Sequence, residues 1–130
     1  MDTVLDLVQQ WAAAELAGDA DALTELLDEN FAGIGPVGFV LNREQWAGRH
    51  RDGNLTNHAI EIIDPQLTHY GDTVIVRAVM DQKTTARGRD TSGSFRIGVV
   101  AVRRGEQWVI AHLQLSGPMI TPGEVPPFAR

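Results

Sequence analysis

The hydrophobic period of the chain changes once, near the middle. Before position 50, apolar residues recur mainly at helical spacing, as in Val4, Leu7 and Trp11. Over positions 56–116 they alternate with polar residues, which is the two-residue period of a half-buried strand. A run of helices followed by a run of strands is typical of an α+β domain, because a parallel α/β sheet needs the two element types to alternate.

The first two helices are predicted from their apolar stripes and from the residues at their ends. The spacing predicts one helix over residues 2–17, and Gly18 suits its C-terminal end. Asp19 is a favourable N-cap for a second, short helix whose apolar face is Leu23, Leu26 and Leu27.

A short hairpin and a third helix are predicted next. Residues 31–34 and 39–41 have the composition of short strands, with a turn of glycine and proline between them. Asn42 is predicted to cap a third helix that carries Trp46 and His50.

The alternating pattern in the second half of the chain predicts three or four long antiparallel strands. The predicted strand segments are 56–63, 66–70, 73–87, 94–103 and 107–116. Asp64-Pro65 can kink a single long strand made from the first two segments. We expect one domain, residues 1–117, in which a curved antiparallel sheet forms a cone-shaped half-barrel closed by the three helices. Residues 118–130, which are rich in proline, are expected to form a surface tail.

Charge and composition exclude several classes of function. Residues 1–42 carry eight acidic and no basic side chains, which argues against nucleic-acid binding because phosphate contacts need a basic patch. The chain has no cysteine, so thiolate catalysis, disulfides and Cys-ligated zinc are excluded. Acids near the start and short apolar runs predict a cytoplasmic protein with no membrane association.

Three segments resemble the SnoaL-like, polyketide-cyclase-type group of the nuclear transport factor 2-like superfamily. They read AGDADALTELLDENFAGIGP, GFVLNREQW and GEQWVIAHLQLS. The last segment is similar to the group's final strand, with a tryptophan after the hairpin and a histidine a few residues later. Together with the matching order of elements, the resemblance covers residues 3–117 and implies the cystatin-like cone fold of that superfamily.

The resemblance implies a cavity and leaves the activity open, because the superfamily includes isomerases, cyclases, epoxide hydrolases, dehydratases and non-catalytic binding or association modules. Its ketosteroid isomerases use an Asp base and a Tyr donor. Here residues 31–41 contain no Asp or Glu, and the only tyrosine is Tyr70, beside a turn. Its epoxide hydrolases pair two aspartates with an arginine, and Asp81 with Arg77 supplies only part of that set.

His112 is the leading catalytic candidate. In strict alternation it shares a face of the last strand with Trp108, Ile110 and Gln114, and this mixture of aromatic and polar groups is typical of a pocket wall. The opposite face is purely apolar, so it is expected to pack against a core or a dimer partner. His112 can act as a general acid or base near neutral pH, with Gln114 steadying negative charge. The alternative is a histidine satisfied by a cross-strand neighbour.

Asp81 and Arg77 are the next candidates, on the strand predicted over 73–87. They share the face opposite Val74, Val76, Ala78 and Met80. Asp81 is interpreted as a carboxylate that orients His112 or takes a proton, and Arg77 as a group that steadies developing negative charge. The alternative for Asp81 is an outward carboxylate paired with Arg96 or Arg103 across the sheet.

His58 is the third catalytic candidate. It alternates with Ile60 and Ile62, whose apolar character predicts that this face is inward. The alternative is a core or rim histidine. His58, His112 and Asp81 do not have the tight spacing of metal ligands, so neither a metal nor another cofactor is predicted.

Three aromatic residues are predicted where helices and hairpin close the cavity. Trp11, Phe31 and Trp46 can stack on a flat organic ligand, or they can simply form the core. Together these features predict a pocket protein for a small hydrophobic ligand, with a cofactor-independent cyclase, isomerase or dehydratase reaction as its possible chemistry. The alternative is a non-catalytic module that forms a homodimer through the outer face of the sheet.

Overall fold

The computed structural model describes residues 3–119, and its elements follow the order that the periodicity predicts. The helices are α1 (Thr3–Ala17), α2 (Ala20–Leu26) and α3 (Arg43–Gly48). The strands are β1 (Leu27–Ile34), β2 (Val40–Asn42), β3 (Leu55–Tyr70), β4 (Thr73–Ala86), β5 (Arg89–Asp90), β6 (Gly93–Arg104) and β7 (Gln107–Ser116). The α+β class is therefore confirmed. The predicted tail lies outside the described residues except for its first two positions.

Both predicted N-caps are confirmed by their hydrogen bonds. The Asp19 carboxylate accepts a 3.1 Å bond from the backbone N–H of Ala22 at the start of α2. At the start of α3, Asn42 and Gln45 form a reciprocal capping box, with bonds of 2.8 Å and 2.9 Å. The helix ends at Gly48, so His50 lies in the turn after α3 and not on the helix as predicted.

Leu27 belongs to β1 and not to the apolar face of α2. Its backbone is extended, with φ −97° and ψ 137°. It pairs with Ile110 where β1 runs parallel to β7, and it is only 2% exposed. Tertiary pairing therefore ends α2 one residue earlier than the apolar spacing suggests.

The sheet follows the order β2-β1-β7-β6-β4-β3, with the short β5 paired to β4. Every pair is antiparallel except β1 with β7. The segments predicted over 56–63 and 66–70 form one strand, and its register shifts at Asp64-Pro65, as predicted. Further shifts at His58 on β3 and at Ala111 on β7 add to the curvature, because a bulge bends its strand and increases the twist.

The helices cover the inner face of this curved sheet. The four β4 residues predicted to form an apolar face are buried there: Val74, Val76, Ala78 and Met80. They join the apolar stripe of α1 and the buried residues of β6 in one core cluster. Within the part of the chain that the structure describes, no helix is both long and apolar enough to cross a membrane.

Candidate functional site

A cavity of about 740 Å³ lies between the helices and the inner face of the sheet. Much of its wall is apolar, formed by Trp11, Val37, Phe39, Trp46, Leu55, Ile60, Met80, Phe95 and Leu115. Its polar wall is formed by Glu15, Arg49, Asp52, Asn54, Asn57, Gln82, Thr84, Arg87, Asp90, Thr91 and Ser92. This volume falls in the range of pockets that hold small organic molecules.

Glu15 is the most deeply buried charged group of the cavity wall, and three side chains bind its carboxylate. Trp46 Nε1 donates to Oε2 at 2.8 Å, and Arg49 Nη2 lies 2.8 Å from Oε1 and 2.9 Å from Oε2. His50 Nε2 lies 2.6 Å from Oε1. The residue as a whole is 5% exposed. A buried carboxylate needs such partners, since an unpaired charge in a protein interior is very costly.

The neighbours of Glu15 keep it ionised. Burial alone would raise the pKa of Glu15, but the Arg49 charge and the bonds from His50 and Trp46 together hold that pKa below its usual value. An ionised carboxylate can only accept hydrogen bonds, so His50 Nε2 carries the hydrogen in this pair. The four contacts use the accepting capacity of both oxygens, which makes Glu15 an anchor rather than a ready general base.

Arg49 is fixed against the cavity wall by three contacts. Its guanidinium carbon lies 4.0 Å from the centroid of the Trp46 ring, a cation–π geometry. Its Nε donates to the carbonyl oxygen of Trp46 at 2.9 Å, and its Nη2 binds Glu15. The Arg49 side chain remains 26% exposed. The arrangement places a largely neutralised cation at the cavity surface.

A second polar chain connects α1 to the sheet. Asn57 Nδ2 donates to the backbone oxygen of Glu15 at 2.8 Å, and Asn57 Oδ1 accepts from Thr84 Oγ1 at 2.7 Å. The backbone N–H of Thr84 donates to Ser92 Oγ at 3.0 Å. All four residues line the cavity. These bonds hold the polar side chains of the wall in one arrangement.

Trp11 lines the cavity and carries a buried indole N–H. It lies one helical turn before Glu15 on α1 and is 1% exposed. Within residues 3–119, its Nε1 has no hydrogen-bond acceptor. Buried indole N–H groups usually have a partner, so this one is an exception that needs an explanation.

His112 does not line the cavity, which corrects the prediction that it projects inward. The β7 residue on the cavity wall is Leu115, and the buried residue next to His112 is Leu113. The cause is the extra residue Ala111: Ile110 pairs with Ala101 and His112 with Val100, so the alternation of faces reverses between them. Gln114, on the outward face with His112, is exposed and also lies outside the cavity.

His58 is displaced by the same kind of irregularity. Asn57 pairs with Thr84 and Ala59 with Lys83, so His58 is the unpaired residue of a bulge. It is exposed, and its Nε2 lies 3.0 Å from Thr85 Oγ1. The prediction that His58 faces inward with Ile60 and Ile62 is therefore wrong, and Asn57 occupies the cavity side instead.

Asp81 and Arg77 lie on the outer face of β4, as their alternation predicts, and neither lines the cavity. Asp81 accepts a hydrogen bond from Ser94 Oγ, on the β6 residue directly opposite. Asp81 therefore points outward, as the alternative interpretation predicts, but its partner is Ser94 and not Arg96 or Arg103. Arg77 is exposed. The structure therefore does not bring Asp81 together with His112 at a cavity site.

The three aromatic candidates separate into two groups. Trp11 and Trp46 line the cavity, whereas Phe31 lies in the core and packs edge-on against Trp46, with 5.7 Å between ring centroids. Sequence reasoning missed Glu15, Arg49 and His50. The sequence does contain one signal for Glu15. It lies seven residues after Val8 and four after Trp11, so the helical period places its carboxylate on the buried face of α1.

No group of three or more His, Asp or Glu side chains between residues 3 and 119 is placed to hold a metal ion. The cavity wall carries three carboxylates, of Glu15, Asp52 and Asp90, two guanidinium groups, of Arg49 and Arg87, and several amide and hydroxyl groups.

Three solved structures are similar to the structure of this chain. An NTF2-like protein from Cytophaga hutchinsonii ATCC 33406 is 20% identical, with a TM-score of 0.84 over 89% of this chain and 98% of that one. A proposed Ca/calmodulin-dependent kinase II association domain from Exiguobacterium sibiricum 255-15 is 17% identical, with a TM-score of 0.80 over 87% and 88% of the two chains. A protein from Novosphingobium aromaticivorans, proposed to be an aromatic ring hydroxylase, is 20% identical, with a TM-score of 0.79 over 90% and 87%.

These likenesses confirm the nuclear transport factor 2-like fold that the sequence resemblance implied. No curated protein matches the chain. The family model of the SnoaL-like domain matches residues 4–121, which includes nearly every residue of the fold described above. The chain belongs to the SnoaL-like domain family.

Proposed function

We propose that this protein binds a small, mostly apolar organic molecule in the cavity between its helices and its sheet. The observation that carries the proposal is the cavity of about 740 Å³, whose wall combines apolar residues such as Trp46 and Met80 with polar ones such as Asn57 and Thr84. A vestigial pocket would instead be filled by Trp46, Phe31 and Met80. Here Trp46 and Met80 form the wall and leave the space open.

A thermal-shift screen against aromatic polyketides, terpenoids and steroids tests this proposal, because a ligand that binds only the folded chain raises its melting temperature. The matched variants are Ala86→Trp, which fills the cavity from β4, and Lys83→Trp, which adds the same ring on the exposed outer side of that strand. We expect ligands to stabilise the wild type and Lys83→Trp by several degrees and Ala86→Trp by much less. Equal shifts in all three proteins would contradict binding in the cavity.

Cofactor-independent acid–base catalysis, as in a cyclase, isomerase or dehydratase, is a second candidate. The observation that favours it is the Glu15–His50 contact of 2.6 Å beside the cavity, a carboxylate paired with an imidazole. The His50 side chain is 1% exposed and all four contacts of Glu15 are made within the protein, so catalysis by this pair requires one Glu15 contact to open when a ligand binds. Mass spectrometry of bound ligand after incubation with wild type and His50→Gln tests for conversion. A ligand recovered unchanged from both proteins argues for binding alone.

We also propose that two copies associate through the outer face of the sheet. Ile75 is 38% exposed there, beside the half-buried Val79, Val100 and Val102. Light scattering after size exclusion tests this with Ile75→Glu, which we expect to be monomeric. Val40→Glu is the control, because Val40 is 61% exposed on the short strand β2, away from this face. A wild-type monomer at micromolar concentration would contradict the proposal.

A further inference from the structure

Gln82 contributes a side-chain amide to the cavity wall that has no hydrogen-bond partner among the described residues. It lies on β4 between Met80 and Thr84, on the inward face of that strand, and all three residues line the cavity. Gln82 is half-buried, and its side chain makes no hydrogen bond to any residue from 3 to 119. An amide carries two N–H donors and an accepting oxygen, so this capacity is open to a ligand.

The amide of Gln82 is accessible from the cavity. Among residues 3–119, the indole nitrogen of Trp11 is the single fully buried side-chain polar atom without a partner. Since the amide atoms of Gln82 also have no partner, both must retain accessible surface. The strand β4 is flanked by β3 and β6, so an inward side chain at this position meets open space on the cavity side.

The neighbouring positions explain why no group of the sheet serves this amide. Directly across the sheet, Gln82 pairs with Ile60 of β3 and with Gly93 of β6, and neither has a polar side chain. Thr84, the next inward residue of β4, donates its hydroxyl to Asn57 at 2.7 Å. The amide of Asn57 is in turn bonded at both ends, to Thr84 and to the backbone of α1. Gln82 therefore differs from Asn57 in being available to a ligand.

The surroundings of Gln82 favour a neutral ligand group. Its neighbours Met80, Ile60 and Phe95 are apolar, whereas Thr84 begins the bonded polar chain. None of these four residues is charged. A charged ligand group at Gln82 would lose its hydration without an ion partner, and this cost is much smaller for a neutral polar group.

From these observations, and on the basis of the proposed function, we infer that the cavity takes a neutral, mainly apolar molecule that carries a lactam or carboxamide, and that Gln82 binds this group. Such a group presents an N–H and a carbonyl oxygen side by side, so it can donate to Oε1 and accept from Nε2 of Gln82 at once. A ketone would use only the donor and leave the Gln82 oxygen unpaired in a site closed to water. Gln82 is thereby a residue that determines ligand specificity.

Equilibrium dialysis with three bicyclic probes tests the inference. Naphthalene has no polar group, quinolin-2-one has two fused six-membered rings with a lactam, and 1-methylquinolin-2-one keeps the carbonyl but lacks the N–H. Gln82→Met replaces the amide with a thioether of similar length. We expect it to weaken binding of quinolin-2-one about tenfold, within the range of two neutral hydrogen bonds, and binding of 1-methylquinolin-2-one about threefold. Naphthalene has no hydrogen bond to lose, so its affinity should change by less than about twofold.

Gln114→Met is the matched control, because Gln114 is exposed on β7 outside the cavity. It should keep the wild-type affinity for all three probes. An unchanged affinity of Gln82→Met for quinolin-2-one, an equal loss for the two lactams, or no binding of quinolin-2-one where naphthalene binds would overturn the paired bonds to Gln82. In each of these cases binding of naphthalene would still support the pocket. If the wild type binds none of the probes, the proposed function fails and this inference fails with it.

Nuclear magnetic resonance of the wild type gives a readout that does not depend on the affinity of a variant. In ¹⁵N-labelled protein, the side-chain NH₂ signals of Gln82 are assigned by their absence from Gln82→Met. We expect quinolin-2-one to move one proton of this pair downfield, as a new hydrogen bond does, and naphthalene to leave the pair without that shift. A downfield shift at another side-chain amide and not at Gln82 would overturn the assignment of the binding residue.

Discussion

The indole Nε1 of Trp46 donates a 2.8 Å hydrogen bond to Oε2 of Glu15, although the two residues are 31 positions apart in the chain. This bond joins α3 to α1 inside the core and brings Arg49 and His50 to the same carboxylate. Because Trp46 and Glu15 both line the cavity, the bond also sets the shape of its wall. Stability and cavity geometry therefore depend on one buried anion.

Replacing Glu15 with Gln should lower the free energy of unfolding by about 3 kcal/mol, since breaking a buried ion pair leaves the partner charge uncompensated. Urea unfolding followed by circular dichroism measures the change. Glu25→Gln is the control: Glu25 is exposed on α2, and its substitution should change stability by less than about 0.5 kcal/mol. Equal effects of the two substitutions would show that the Glu15 cluster does not stabilise the fold.

The contribution of Glu15 should also depend on pH in a defined direction. Its folded-state pKa lies below the usual 4.5, so its stabilisation is complete above that value and is lost as the pH falls through the folded pKa. We expect the difference in unfolding free energy between wild type and Glu15→Gln to be constant from pH 7 to about pH 5 and to shrink below about pH 4.5. A difference that is unchanged down to pH 3 would contradict the lowered pKa. Other carboxylates, such as Asp28, titrate in both proteins and cancel.

Features that depend on nearby residues were predicted well from the sequence. The caps at Asp19 and Asn42 act within three residues of themselves, so their side-chain type and position are sufficient. The inward face of β4 was also correct, because that strand keeps its alternation through Met80. The Glu15 cluster was missed because its partners come from residues 31 to 35 positions later, and only the fold brings them together.

The predictions that His58 and His112 face the cavity are wrong because each strand contains one extra, unpaired residue. Strict alternation places His58 with Ile60, and His112 with Ile110, on one face. A bulge at each position reverses the alternation, so Asn57 and Leu115 reach the cavity instead. Neither bulge is marked by glycine or proline, and each is defined only by pairing with a neighbouring strand. The cavity could be predicted from the sequence, but the residues that line it from these strands could not.

Gly33→Ala should destabilise the protein by about 2 kcal/mol through the ring of Trp46. A Cβ at this position would lie 2.4 Å from Cε3 of Trp46 and 2.9 Å from Cζ of Phe31, and the Trp46 ring cannot retreat without straining its bond to Glu15. Gly98→Ala is the matched control on β6, since no atom lies within 4 Å of its added Cβ. It should be neutral or slightly stabilising, because alanine restricts the unfolded chain. Urea unfolding and near-ultraviolet circular dichroism measure both variants. A Gly33→Ala protein as stable as Gly98→Ala would show that the contact at Trp46 relaxes freely.

His112→Ala should leave ligand binding unchanged, because Leu115 and not His112 forms the β7 part of the cavity wall. We expect the dissociation constant of any ligand found by the thermal-shift screen to change by less than about twofold, since a change outside the site alters no contact that differs between the free and bound states. Arg49→Met is the informative comparison, because it removes the guanidinium from Glu15 and from the face of Trp46 and should weaken binding. Isothermal titration calorimetry of the wild type, His112→Ala and Arg49→Met shows which of the two residues contributes to ligand binding. If His112→Ala loses binding while Arg49→Met retains it, the ligand lies at the outer face of β7, and the cavity is not its site.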